Sequence, residues 1–127
     1  MADGSPPQLH SLESEVMEQV WSLGEATVHQ VRDRINANSD TPRAYNTVMT
    51  VMSRLTVKGL LGKERRGRRD HFVAILSREA YLDARAAFEV DTLVEEYGDF
   101  ALAHFASQVA KLDPERRQKL RRLAQRD

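Results

Sequence analysis

The sequence predicts a mainly α fold (α+β) in which three helices, one β-hairpin and three further helices follow in order. Three observations predict it. Apolar residues recur at helical spacing in three short segments before residue 60. The period then switches to two on either side of the turn Arg66-Gly67-Arg68-Arg69-Asp70. Helical spacing then returns in three segments punctuated by Gly98 and by Asp113-Pro114.

The first helix is expected over about residues 12–23, with Ser11 as N-cap and Gly24 as a left-handed stop. Its inward stripe is Leu12, Val16, Val20 and Leu23, flanked by Met17 and Trp21, and reads as core rather than as a cofactor site. Thr27 and Gln30 fit a capping box, in which each side chain satisfies the other residue's orphan amide. They open a second helix with Val28, Val31 and Ile35 inward. Residues 36–40 are polar turn chemistry, and Pro42 suits the first turn of a third helix. That helix turns Val48, Val51, Met52 and Leu55 inward and ends at Gly59. Leu60–Arg65 and His71–Ile75 are the expected strands. Ser77 caps a fourth helix bearing Leu82, Ala86, Val90, Leu93, Val94 and Tyr97; a fifth carries Leu102, Phe105, Val109 and Leu112. Asp113 and Pro114 are an N-cap and first-position pair for a sixth, with Leu120 and Leu123 inward. The expected division is a flexible N-terminal tail (1–8), a winged helix-turn-helix domain (9–77) and a C-terminal helical dimerisation region (78–127).

Composition bounds the function. The chain has 127 residues, 41% hydrophobic and 30% charged, with a formal net charge of zero, ordinary for a soluble domain. The zero conceals an uneven distribution. Residues 1–27 hold five acids and neither Lys nor Arg, whereas ten bases against four acids leave residues 28–71 at +6. A basic middle in a neutral chain points to a polyanion, and nucleic acid is the first candidate. The chain has no cysteine, which excludes disulfides and thiolate metal sites. His10, His29, His71 and His104 are scattered without ligand spacing, so no metal is expected. Glu95, Glu96 and Asp99 read as a solvated face. There is no phosphate-binding Gly-rich loop and no nucleophile–base pattern; an enzyme and a cofactor are not expected. No apolar run approaches the roughly 18 residues of a membrane helix, and residues 1–8 lack a signal-peptide layout, so a cytoplasmic location is expected.

Two short helices joined by a polar turn and followed by a basic hairpin make the winged helix-turn-helix layout. A helix enters the major groove when its outer face is polar and its inner face is anchored. The third helix offers Tyr45, Asn46, Thr47, Met49, Thr50, Ser53 and Arg54 outward, and the hairpin tip offers Arg66, Arg68 and Arg69. Phosphate contacts position a protein and supply salt-dependent affinity, whereas base edges carry the sequence information.

The stretches Leu12-Glu13, Val16-Met17, Val20-Trp21, Thr27-Val28, Ala44 to Leu55 and Lys58-Gly59-Leu60-Leu61, with Ser77 to Tyr81 after the hairpin, resemble the penicillinase-repressor (BlaI/MecI/CopY) family. The resemblance implies a cytoplasmic homodimeric repressor of inverted-repeat operators of TACA/TGTA type, with N-terminal DNA binding and C-terminal dimerisation. By matched position, Asn46, Thr47 and Met49 would face bases. Arg43, Tyr45, Thr50, Arg54, Arg66, Arg68 and Arg69 would lie on or near the backbone of double-stranded operator DNA. Copper-responsive members carry a C-terminal cysteine hook, which this chain lacks. In β-lactam-responsive members a membrane-bound sensor protease brings about cleavage of an Asn-Phe bond in the dimerisation helices. The matching candidate bond here is His104-Phe105, with Phe105 expected to be buried at the dimer interface. Two alternatives remain open: a small-ligand-responsive winged-helix regulator, and a winged helix used only for protein–protein contact.

Overall fold

The computed structural model describes residues 6–126. Its elements are α1 (Ser11–Leu23), β1 (Glu25–Ala26), α2 (Val28–Ala37), α3 (Tyr45–Val57), β2 (Leu61–Arg66), β3 (Arg69–Ala74), α4 (Arg78–Tyr97), α5 (Asp99–Ala110) and α6 (Pro114–Ala124). The three strands form one antiparallel sheet in the order β1-β3-β2. The chain divides between Ala86 and Ala87, within α4, into two compact units.

The first unit is built on the expected helical stripes. Val16, Met17 and Val20 from α1, Val31 and Ile35 from α2, and Val48, Val51, Met52 and Leu55 from α3 are buried together. Leu60, Leu61 and Phe72 anchor the hairpin in the same core, and Ala26 does so for β1. Trp21 and Leu23 are half-buried at its edge; the Trp21 indole N–H donates to the Leu76 carbonyl at 2.9 Å. Tyr81, near the start of α4, is buried here and stacks obliquely on Trp21 at 5.7 Å between ring centroids. Its hydroxyl donates to the Pro7 carbonyl at 2.6 Å, and Arg85 donates to the Pro6 carbonyl at 3.0 Å. The end of the expected tail is thus tied down, while residues 1–5 lie outside the described residues.

Several local expectations are corrected. Helix α1 begins one residue early and is capped by His10, not Ser11, because Glu13 reaches back to accept the His10 amide at 3.0 Å. Pro42 lies outside α3, whose N-cap is Ala44. The hairpin is tighter than expected: only Gly67 and Arg68 separate the strands. Gly67 has φ 64° and, among the described residues, no non-glycine residue has positive φ, the pattern of a two-residue type II′ turn. Leu112 falls beyond the end of α5. Strand β1 is too short to leave a periodicity in sequence. It exists because Glu25 and Ala26 pair with Val73 and Phe72 of β3. The Thr27–Gln30 box, the Ser77 cap and the Asp113–Pro114 start are all formed.

An ion pair with a buried acid and a more exposed base links the start of α1 to the end of α3. The Lys58 ammonium donates to both Glu13 carboxylate oxygens, at 2.7 and 2.9 Å, and the Glu13 side chain is only 7% exposed. Burial alone would raise the Glu13 carboxyl, but the Lys58 hydrogen bond, the His10 amide and the nearby positive charge outweigh it. The group is held below its ordinary value of 4.5. A carboxyl depressed in the folded state contributes stability above its unfolded value and loses it as pH falls through the folded one. Denaturant titrations from about pH 7 to about pH 3 should show this loss in the wild type and a smaller loss in Lys58→Met. Breaking the pair with Lys58→Met at neutral pH should cost about 1–3 kcal/mol, because it leaves a buried carboxylate without its cation.

Candidate nucleic-acid interface

Helix α3 presents two unlike faces. Val48, Val51, Met52 and Leu55 are buried, whereas Asn46, Thr47, Met49, Thr50, Ser53 and Arg54 are exposed. Met49 is 40% exposed, an apolar surface amid hydrogen-bonding groups, suited to a thymine methyl. Tyr45 is half-buried rather than free: its ring lies against His29 at 4.6 Å and under the Arg32 guanidinium at 6.0 Å. Arg43 is not in the helix. Its backbone is clamped by Asn36, which accepts from the Arg43 amide at 2.7 Å and donates to its carbonyl at 3.0 Å. The clamp sets the turn between α2 and α3 and leaves the Arg43 side chain at the approach to α3.

Two grooves flank α3. One, of about 490 Å³, lies between the start of α2, α3 and the hairpin, where Tyr45, Met49 and Ser53 face Lys63, Arg65, Arg68 and Arg69. The other, of about 550 Å³, lies between the start of α1 and α3, with Asn46, Thr47, Thr50, Arg54 and Lys58 along it. The exposed edge of α3 is thus accessible from both sides, and cations line each groove.

Pairing register separates the hairpin cations into two faces. Lys63 stands opposite the buried Phe72, and Arg65 opposite Asp70, on the face turned toward the core and α3. Asp70 holds both, with Arg65 at 3.5 Å and Lys63 at 4.0 Å. Arg66 stands on the opposite face with Glu64 and His71, and its guanidinium pairs with Glu25 and with Glu64. Of the expected wing cations, Arg68 and Arg69 line the groove at the hairpin tip and Arg66 does not, although the register sets Arg69 opposite Arg66. Lys63, Arg65 and His29 line the same groove and were missed. Strand alternation counted back from Phe72 would have found Lys63 and Arg65.

In the second unit the candidate bond His104-Phe105 lies in the middle of α5. Within the single chain His104 is exposed and Phe105 is half-buried. Leu93, Tyr97, Phe100 and Ala101 surround the pair in an open apolar groove of about 340 Å³. Among the described residues no group of three metal-ligating side chains comes together, and no helix is long and apolar enough to cross a membrane.

The family model described as Penicillinase repressor matches residues 9–126. The chain belongs to the penicillinase-repressor family. Relatives include the "Transcriptional regulator BlaI" of two Mycobacterium tuberculosis strains, CDC 1551 / Oshkosh and ATCC 25618 / H37Rv. Each is 36% identical over 107 residues, which span 80% of this chain and 74% of the relative. Two solved structures are similar to this penicillinase-repressor chain. The DNA binding domain of the repressor BlaI is 25% identical with a TM-score of 0.52, over 61% of this chain and 92% of that one. Bacillus licheniformis BlaI, in its monomeric form in complex with the blaP half-operator, is 25% identical with a TM-score of 0.50 over the same shares. The family resemblance and the winged-helix fold read from sequence are both met.

Proposed function

We propose that this protein is a sequence-specific, DNA-binding transcriptional repressor that holds an inverted-repeat operator as a homodimer. It acts in the cytoplasm by occupying a promoter and not by catalysis. The observation that carries the reading is the exposed polar edge of α3 beside a groove lined by Lys63, Arg65, Arg68 and Arg69. A structurally similar protein, BlaI, is described in complex with a half-operator, which supports the same use of this surface. Asn46, Thr47 and Met49 then read base edges in the major groove. Tyr45, Thr50, Arg54, Arg43 and the groove-lining cations Lys63, Arg65, Arg68 and Arg69 meet phosphates and set the register.

Dimerisation is supported by the second unit. Val90, Leu93, Tyr97, Phe100, Leu102 and Val109 are each at least 38% exposed there, and Leu93, Tyr97 and Phe100 share one apolar groove, the kind of surface that marks an interaction site. A two-fold partner would cover it and set two α3 helices on successive half-sites. Sedimentation of the full chain should show a dimer at micromolar concentration; a stable monomer would count against this arrangement. The family resemblance further brings a membrane-bound sensor protease as partner, acting at His104-Phe105.

Titration of a random-sequence duplex across ionic strength tests the DNA reading directly. Binding should weaken steeply with salt. Arg68→Ala with Arg69→Ala should lower the slope of log affinity on log salt by about two, one for each phosphate no longer neutralised. Binding that is insensitive to salt would instead favour a protein partner.

A further inference from the structure

Arg66 behaves unlike the other cations of the hairpin. It stands at the end of β2, yet its side chain runs back over Glu64 on its own strand to meet Glu25 on β1. The Arg66 Nε lies 2.8 Å from Glu64 Oε1, and the guanidinium Nη2 pairs with Glu25 Oε1. The second Glu25 oxygen lies 3.5 Å from His71 Nδ1 on β3. One guanidinium thus links the tip of the hairpin to the two-residue strand that joins α1 to α2. The hydrogen bond from Arg66, acting against a smaller burial penalty, holds the Glu25 carboxyl below its ordinary range, which agrees with this pairing.

The opposite face carries the groove. Backbone pairing with β1 reaches only Phe72 and Val73, at the base of the hairpin, so the tip is a free two-stranded ribbon. Such a ribbon twists and bends readily unless something beyond its backbone holds it. We infer that Arg66 is not a DNA contact but a brace, and that Glu25 is a positioning residue for the wing, holding Lys63, Arg65 and the tip residue Arg68 toward α3 through Arg66.

The inference rests on the DNA reading above and makes a prediction of unusual sign. Removing an acid near a polyanion-binding surface should, by charge alone, strengthen binding. Here Glu25→Gln should weaken it, because without the brace the free wing is loose and must be ordered before its cations make the same phosphate contacts. The full-length chain is titrated with a random-sequence duplex, as wild type, Glu25→Gln, Arg66→Ala, the double variant and the exchange Glu25→Arg/Arg66→Glu. Both single variants should bind about two- to fivefold more weakly, the range of an exposed ion pair. The double variant should be no weaker than Arg66→Ala alone, the signature of residues acting through each other. The exchange should recover most of the affinity, and the salt slope of Arg66→Ala should equal that of the wild type. Unchanged or tighter binding by Glu25→Gln overturns the proposal. So does a salt slope lowered by about one in Arg66→Ala, which would make Arg66 a phosphate contact. Hydrogen exchange of the free protein separates this from the underlying reading. Glu25→Gln should speed exchange at the hairpin amides whether or not the wild type binds DNA, and unaltered exchange there overturns the brace. A wild type that binds no duplex would instead overturn the DNA reading alone.

Discussion

Cutting the chain between His104 and Phe105 is expected to lower operator affinity by a factor of about 10² to 10⁴, with little change in the fold of the first unit. The bond lies within the hydrogen-bonded turns of α5, so cleavage removes the second half of that helix and all of α6. With them go Val109 and Leu123, two of the exposed apolar residues that a partner would cover. The first unit keeps its own buried core and its α3 surface. Each first unit, no longer joined to a partner copy, would then grip one half-site alone, without the gain from a linked second site. An intact helix resists proteases, so cutting requires local unfolding of α5. A chain prepared as residues 1–104 should therefore bind a single half-site about as well as the full chain does. It should fail to show the tighter binding to a paired site selected from random DNA. Equal affinity of the two chains for the paired site would remove α5 and α6 from any dimer contact. Mass spectrometry before and after β-lactam stress decides whether the cell uses this route, since an intact chain in derepressed cells excludes cleavage as the trigger.

Leu55→Ala should destabilise the first unit by about 2–5 kcal/mol, the cost of transferring a buried leucine and leaving a cavity. Leu55 is fully buried between the stripes of α1, α2 and α3, and its neighbour Met52 is equally enclosed. Thr50, one turn earlier on the exposed face, is the control. Thr50→Ala should leave stability within about 0.5 kcal/mol of wild type while weakening DNA binding. Denaturant titration and duplex binding on the two variants separate the anchoring face of α3 from its reading face. If Thr50→Ala reduced stability and kept its affinity, the two faces would be assigned the wrong way round.

Much of the fold was legible because its signals are local. The stripe Val48, Val51, Met52 and Leu55 announces both a helix and its inner face, since 3.6-residue periodicity is a property of the segment alone. Thr27 with Gln30, and Asp113 with Pro114, mark helix starts because capping involves residues within one turn. Most of the α3 surface followed directly, because positions off the buried stripe of an amphipathic helix are mostly exposed; Tyr45 and Thr56 are half-buried exceptions. The start of α1 was missed by one residue because a cap depends on which nearby side chain reaches the orphan amides, and Glu13 served His10.

The order of the helices and the hairpin, the exposed face of α3, the basic character of the hairpin and the family were all present in the sequence, because they reside in residue type and short spacing. Which hairpin cations face the groove was settled by the assembled fold. That assignment depends on strand register, and a shift of one residue turns every side chain to the other face. It placed Lys63 and Arg65 beside α3 and turned Arg66 onto Glu25, in a strand far earlier in the chain. It also created β1 and the Glu13–Lys58 pair, which join residues far apart in sequence. Such contacts exist only once the helical core has brought their strands and helices together, so no local pattern records them.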